Sequence, residues 1–277
     1  MRKAFLLILS AILLIPNFLP IDINNPLPYD GKERFLPSLN YIQDVRTLES
    51  VVDHCASLKN INPQTPEYAA MLAYVISCRF YHGFSHWKLN ENWIAAVGQK
   101  LTGIGLACKV NADDILKSPN AACSQQALLM MAVLRNKGIS YRKVGFPHHY
   151  AIEVQFNNKW YYFDPNMEPR MNLAQRVHET WKGDNDVLKS YYDHSIHTNL
   201  NYQFGNGQHA ELGIVNEIPA LRVALFQSVS GYLSRFLWTV PLILAVFSYR
   251  RKPFMYAIGP VNQRPIYRLP IRRPYYA

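Results

Sequence analysis

The stretch from His149 to Pro165, HYAIEVQF-NN-KWYYFDP, leaves the chain few options. Two runs rich in β-branched and aromatic residues flank Asn157-Asn158, and Asn tolerates the positive φ that a two-residue hairpin turn demands. That turn sets the register: Phe156 opposite Lys159, Val154 opposite Tyr161, His149 opposite Asn166. Because strand side chains alternate between faces, Tyr150, Ile152, Val154 and Phe156 share an apolar face with Tyr161 and Phe163. His149 falls on the other face with Asp164 as its diagonal neighbour, about 7–8 Å away and within side-chain reach. The adjacent His148 points to the apolar face, away from Asp164.

Upstream, Ser118-Pro119-Asn120 breaks the chain, and CSQQALLMMAVLRNKG then reads as a helix beginning at Cys123. Ala127, Met130, Met131 and Leu134 form a stripe that would anchor this helix on the sheet. Backbone N–H groups and the dipole at a helix start stabilise a thiolate, the nucleophilic form of cysteine. Cys123, His149 and Asp164 thus follow one another as nucleophile, base and orienter. The plainer reading of Cys123 is a small buried helix residue; the His149–Asp164 register favours catalysis.

The stretch from about Asp113 to Pro169 resembles the transglutaminase-like superfamily of papain-type Cys-His-Asp cysteine enzymes. The resemblance is carried by DDILKSPNAACSQQALLMMAVLRNKGISYRKVGF followed by HHYAIEVQFNNKWYYFDPNMEP. It implies an α+β fold with a papain/transglutaminase-like core, in which N-terminal helices precede a nucleophile helix packed on an antiparallel sheet. It also implies catalytic roles for Cys123, His149 and Asp164. The chain departs from the family at Ala121, often Gly there, and at Tyr150-Ala151, often Ala-Trp.

Hydrophobic residues make up 49 % and charged residues 17 % of the chain, which argues against broad disorder. The net charge of +10 is unevenly placed. No acidic residue follows Glu217, whereas nine Arg and Lys do, so the preceding residues are close to neutral. A nucleic-acid enzyme would carry its basic patch on the folded domain, and none is expected as partner here. The four cysteines, Cys55, Cys78, Cys108 and Cys123, form no C-x-x-C pair, which speaks against zinc. One disulfide among the first three is open; the alternative makes Cys55 and Cys78 packed helix residues.

Residues 1–21 combine Arg2-Lys3 with an apolar run and read as a signal anchor or signal peptide. Residues 22–40 read as a linker and 41–217 as the transglutaminase-like domain. Within it, helices are predicted over IQDVRTLESVVDHCASL, from Pro66 behind a Thr65 cap, and over ENWIAAVGQKL. Strands are predicted near 140–146, 149–156 and 159–164, and helices at 171–181 and 184–192. HTNLNYQFGNGQ reads as irregular or strand. Residues 223–249 are assigned as a transmembrane helix with Arg235 as its weak point, and 250–277 as a basic, disordered tail rich in Pro, Arg and Tyr. The positive-inside rule puts both basic flanks and the tail in the cytoplasm and the catalytic domain on the extracytoplasmic side.

His82 with His86, and His194 with His197, have spacings that two metal ligands can use. Without carboxylates at motif spacing they read as structural, and no metal or cofactor is expected. Trp160 and Tyr162 share the Asp164 face and are candidate walls of a cleft. Trp93, Gln99 and Tyr81 are candidates for a second oxyanion donor beside the Cys123 N–H. The expected function is acyl transfer or hydrolysis at a protein or peptide amide by an enzyme held in membrane lipid. The alternative is a non-catalytic, membrane-tethered scaffold or binding module.

Overall fold

The computed structural model describes residues 2–24, 27–31, 33–194 and 199–250. The basic tail beyond residue 250 and His197 lie outside the described residues. The described chain is α+β. Its helices are α1 (Arg2–Leu14), α2 (Val45–Leu58), α3 (Pro66–Arg79), α4 (Leu89–Thr102), α5 (Ala112–Leu116) and α6 (Cys123–Asn136). After the sheet come α7 (His178–Trp181), α8 (Asn185–Lys189), α9 (Leu200–Phe204), α10 (Leu221–Phe236) and α11 (Thr239–Arg250). The strands are β1 (Tyr141–Gly145), β2 (Tyr150–Phe156), β3 (Lys159–Phe163) and β4 (Glu211–Leu212), in spatial order β3-β2-β1-β4. Every described strand pairing is antiparallel.

The hairpin has the register its turn dictates: Phe156 faces Lys159 and Val154 faces Tyr161. Asn157 and Asn158 both adopt positive φ, 47° and 61°, so the strands reverse without a bulge. Ile152, Val154, Phe156 and Phe163 enter one core with residues of α2, α3, α5 and α6. Ala127, Met130, Met131 and Leu134 of α6 are all buried in it, and α6 is thereby fixed on the sheet. Leu48, Val52 and Ala56 of α2 are buried in the same core, and Asp44 caps that helix by accepting a hydrogen bond from the Thr47 N–H.

The opposite sheet face is not an open cleft. A second core of Val144, Ala151, Tyr162, Trp181, Leu188, Tyr192, Leu200 and Phe204 covers it. Tyr162 is fully buried and hydrogen-bonds Tyr192, while Trp160 lies under the Arg142 guanidinium at 4.4 Å. Neither therefore forms a cleft wall as expected from parity. Both faces of β2 are buried because residues 167–194 and 199–204, which carry little periodicity, fold back over the sheet. In that segment the helix expected at 171–181 shortens to α7, and the stretch read as irregular or strand contains α9.

The segment assigned as a linker lies against the domain. The Leu36 N–H donates to the Cys78 carbonyl, the His82 N–H donates to Glu33, and the rings of Tyr29, Phe35 and Tyr81 pack together.

The span assigned to 223–249 is two helices. Among the described residues no single helix is long and apolar enough to cross a membrane; α10 and α11 meet the criterion only as a pair bent by 41°. Pro241 sits in the first turn of α11, where its missing N–H breaks no ladder bond. α11 packs on α1, with Ser10 donating to the Trp238 carbonyl at 2.8 Å. Both helices reach the domain at one end: α1 through residues 15–18, which pack on α4, and α11 through α10. They thus form an antiparallel hairpin whose far end carries Arg2 and Lys3.

Candidate active site

Cys123 is the first residue of α6, behind Ala122 in extended geometry (φ −72°, ψ 165°). Ala122 has no side chain to cap the helix, and Gln125 does so from within. Its Oε1 accepts from the N–H groups of Ala122 (3.1 Å) and Ser85 (2.8 Å), and its Nε2 donates to the carbonyls of Ser85 and Lys109. One buried glutamine thereby ties the α6 start, which carries Cys123, to the loops at 85 and 109. Cys123 itself is half-buried, and all four cysteines are free thiols. Cys78 is buried in α3, whereas Cys55 is only half-buried in α2.

His149 immediately precedes β2 and Asp164 immediately follows β3. Their side chains meet: His149 Nε2 lies 2.6 Å from Asp164 Oδ2, and both residues are buried. The Cys123 thiol lies near enough to the same ring to help raise its pKa. With Nε2 committed to Asp164, Nδ1 is the nitrogen left for the thiol. Asp164 is held from three further directions. Its Oδ2 accepts from the Tyr192 hydroxyl at 2.7 Å, and its Oδ1 from the N–H groups of Asn166 and Met167. Phe146 stacks on the His149 ring and Phe204 closes its other approach, so packing fixes the ring plane.

Burial alone would lower the His149 pKa. The Asp164 carboxylate and its hydrogen bond, with the Cys123 contact, outweigh burial and raise it to about 10. Imidazolium is thus the resting form at neutral pH. The linkage has a definite sign: stability from this pair is fully present below the ordinary His pKa of about 6.5 and is lost as pH rises through about 10. In ¹⁵N NMR, the His149 ring nitrogens are expected to keep imidazolium shifts at pH 8 and to titrate near pH 10. Asp164→Asn should lower the midpoint markedly, because burial is then opposed by the Cys123 contact alone. A wild-type midpoint near 6.5 would show that Asp164 does not hold the ring.

His148, one residue away, is exposed and stacks on Tyr202 with ring centroids 3.9 Å apart. It lies neither at the triad nor, as parity had placed it, in the apolar core, because the ladder begins only at Tyr150. Of the expected oxyanion donors, Trp93 gives its indole N–H to the Ser234 carbonyl. Gln99 is engaged by His86 and the Ala107 N–H, and the Tyr81 ring packs against Tyr29 and Phe35. None of these contacts aims a side-chain donor at Cys123. The Cys123 N–H remains as the first donor, since the initial N–H groups of a helix have no intrahelical partner.

The residues that sequence reasoning missed are Gln125, Tyr192 and His82. Gln125 had a signal, a glutamine at the third position of a helix, which commonly reaches back to the cap. His82 had been paired with His86 as a weak metal motif, and the structure separates them. His86 turns to Asp22, 3.4 Å away, whereas His82 lies beside Asn166 of the Asp164 turn. Desolvation and the nearby His149 charge lower the His82 pKa against the pull of Asn166 and Asp164. Among the described residues no group of His, Cys, Asp and Glu is arranged to hold a metal ion. Beside His82 and Asn166 opens a cavity of about 360 Å³, also lined by Glu33, Met167, Glu168 and Arg170.

Compared with family models, characterised proteins and solved structures, the chain matches none.

Proposed function

We propose that this chain is a membrane-held cysteine enzyme with a papain/transglutaminase-like core that transfers or hydrolyses acyl groups at amides. The observation that carries the reading is the single imidazole of His149, placed between a helix-start thiol and a buried, fully hydrogen-bonded carboxylate. In the reactive pair the Cys123 proton already resides on the His149 imidazolium, and the thiolate forms a C–S bond at the carbonyl carbon. The C–N bond breaks as His149 returns a proton to the leaving amine. The resulting thioester is released by water, giving a hydrolase, or by a second amine, giving a transamidase. Water is the simpler acceptor because it needs no site of its own. The Cys123 N–H supports the developing oxyanion, and Asp164 keeps the ring in the correct tautomer.

Labelling with iodoacetamide at pH 6, followed by mapping, tests the thiol chemistry. Cys123 should react well ahead of the others: Cys78 is buried, and burial pushes the Cys108 thiol up to about 11. If Cys123 reacts no faster than half-buried Cys55, the non-catalytic scaffold becomes the better reading.

Membrane attachment is supported by the α1–α11 hairpin. Phe5, Ile8, Ile12, Ile243, Leu244 and Phe247 all point outward from it. Its packed seam is made of small or buried positions, Ser10, Pro241 and Ala245. Arg2-Lys3 and Arg250-Arg251-Lys252 flank the apolar segments in a pattern that favours retention on the cytoplasmic side. In right-side-out vesicles, protease should digest the domain between the two segments and leave a C-terminal tag protected. Cleavage of the tag together with the domain would overturn this topology.

A further inference from the structure

α10 is built inside out. A surface helix of a water-soluble domain turns its apolar stripe to the core and its polar residues to solvent. In α10 the buried residues are Gln227, Ser230 and Ser234, at 4 %, 2 % and 1 % exposure. Leu221, Leu225, Val229, Tyr232 and Phe236 run along the outside, with Leu225 67 % and Tyr232 70 % exposed.

The inward polar face is bonded to a matching defect in the domain. Asn92 leaves helical geometry inside α4 (φ −157°, ψ 78°), which frees backbone groups there. The Ile94 N–H donates to Ser234 Oγ at 3.1 Å. Asn92 Nδ2 donates to Ser230 Oγ and to the Gln227 carbonyl, Ser234 Oγ donates to Asn92 Oδ1, and Trp93 donates to the Ser234 carbonyl. Gln227 Nε2 donates to the carbonyls of Leu106 and Cys108. α10 is therefore part of the domain rather than a stalk below it, and its outer face is apolar by construction.

We propose that the outer face of α10 is a lipid-contacting surface that seats the catalytic domain directly on the bilayer. This rests on the membrane attachment proposed above and goes beyond it. Lipid is favoured as occupant because α10 runs through a short bend into α11, whose outward side chains belong to the apolar hairpin. Arg222 and Arg235 stand near the two ends of α10, placed to reach headgroups, with aromatic Tyr232 and Trp238 near the second. The seat is coupled to the active site through one loop. Gln227 holds the carbonyls of Leu106 and Cys108, and the next carbonyl, of Lys109, is held by Gln125, which caps the helix of Cys123. The nucleophile is thus held at a fixed height above the membrane, suited to amides presented at its surface.

Photo-crosslinking of the full chain in phosphatidylethanolamine/phosphatidylglycerol vesicles tests this. A benzophenone side chain is placed singly at Leu225, Val229, Ile8 or Phe247, and products are read by mass spectrometry. The expected result is lipid adducts at Leu225 and Val229 in yields comparable to those at Ile8 and Phe247. Lipid adducts at Ile8 and Phe247 but not at the α10 positions would overturn the seat and leave the hairpin anchor standing. Adducts at Leu225 or Val229 only to protein, whether the C-terminal tail, a second copy or another chain, would overturn it as well. Absence of lipid adducts at all four positions would remove the membrane reading itself and the seat with it.

Discussion

Replacing Cys123 with Ala is expected to lower amide turnover by at least about 10⁴-fold while the domain stays folded. The size of the loss follows from chemistry, since no thioester can form and no neighbouring cysteine can take over. Retention of the fold follows from the local structure. The start of α6 is held by Gln125 through four hydrogen bonds, and none of them involves the Cys123 side chain. Removing one sulfur atom from a half-buried position leaves those bonds in place. Release of amine from peptide amides, with circular dichroism alongside, measures both quantities. Turnover retained in a folded Cys123→Ala variant would end the catalytic assignment.

The parts of this site that can be read from sequence are those written locally. The hairpin register follows from Asn157-Asn158 and strict alternation, and the structure pairs Val154 with Tyr161 as those two features require. The α6 start follows from a breaker tripeptide before a 3.6-residue apolar stripe. What closes over the site is not local. Tyr192 and Phe204 reach Asp164 and His149 from a segment without clear periodicity, and only the folded chain brings them there. The sheet face holding His149 therefore looked like an open cleft in sequence and is a second core in the structure.

The membrane segments show the converse difficulty. Hydropathy merges α10 and α11 into one apolar run, with Arg235 as an expensive charge inside it. The structure breaks the run after Phe236, so Arg235 belongs to α10 rather than to the middle of a span. Gln227, Ser230 and Ser234 look like dilution of an apolar helix when read along the chain. Their spacing matters only opposite Asn92, which lies over 130 positions away in sequence. A one-dimensional pattern cannot reveal which face of such a helix meets protein.

The other large effect is expected from the two adjacent histidines. His149→Ala should slow Cys123 alkylation and amide turnover by about 10⁴-fold, whereas His148→Ala should change stability by no more than about 0.5 kcal/mol and spare turnover. His148 is exposed, its ring touches Tyr202, and its one bond to the chain, from its N–H to the Gln203 carbonyl, survives the substitution. His149 is buried against Asp164, and its loss leaves that carboxylate without its cationic partner, at a cost of about 3–5 kcal/mol. That cost could unfold the variant and imitate a catalytic loss, so the comparison includes added imidazole. Free imidazole has the size of the ring that is removed, and it should restore part of the alkylation rate in a folded His149→Ala protein and none in Cys123→Ala. Equal losses from His148→Ala and His149→Ala, both folded, would mean that the base is not the histidine the strand register selects.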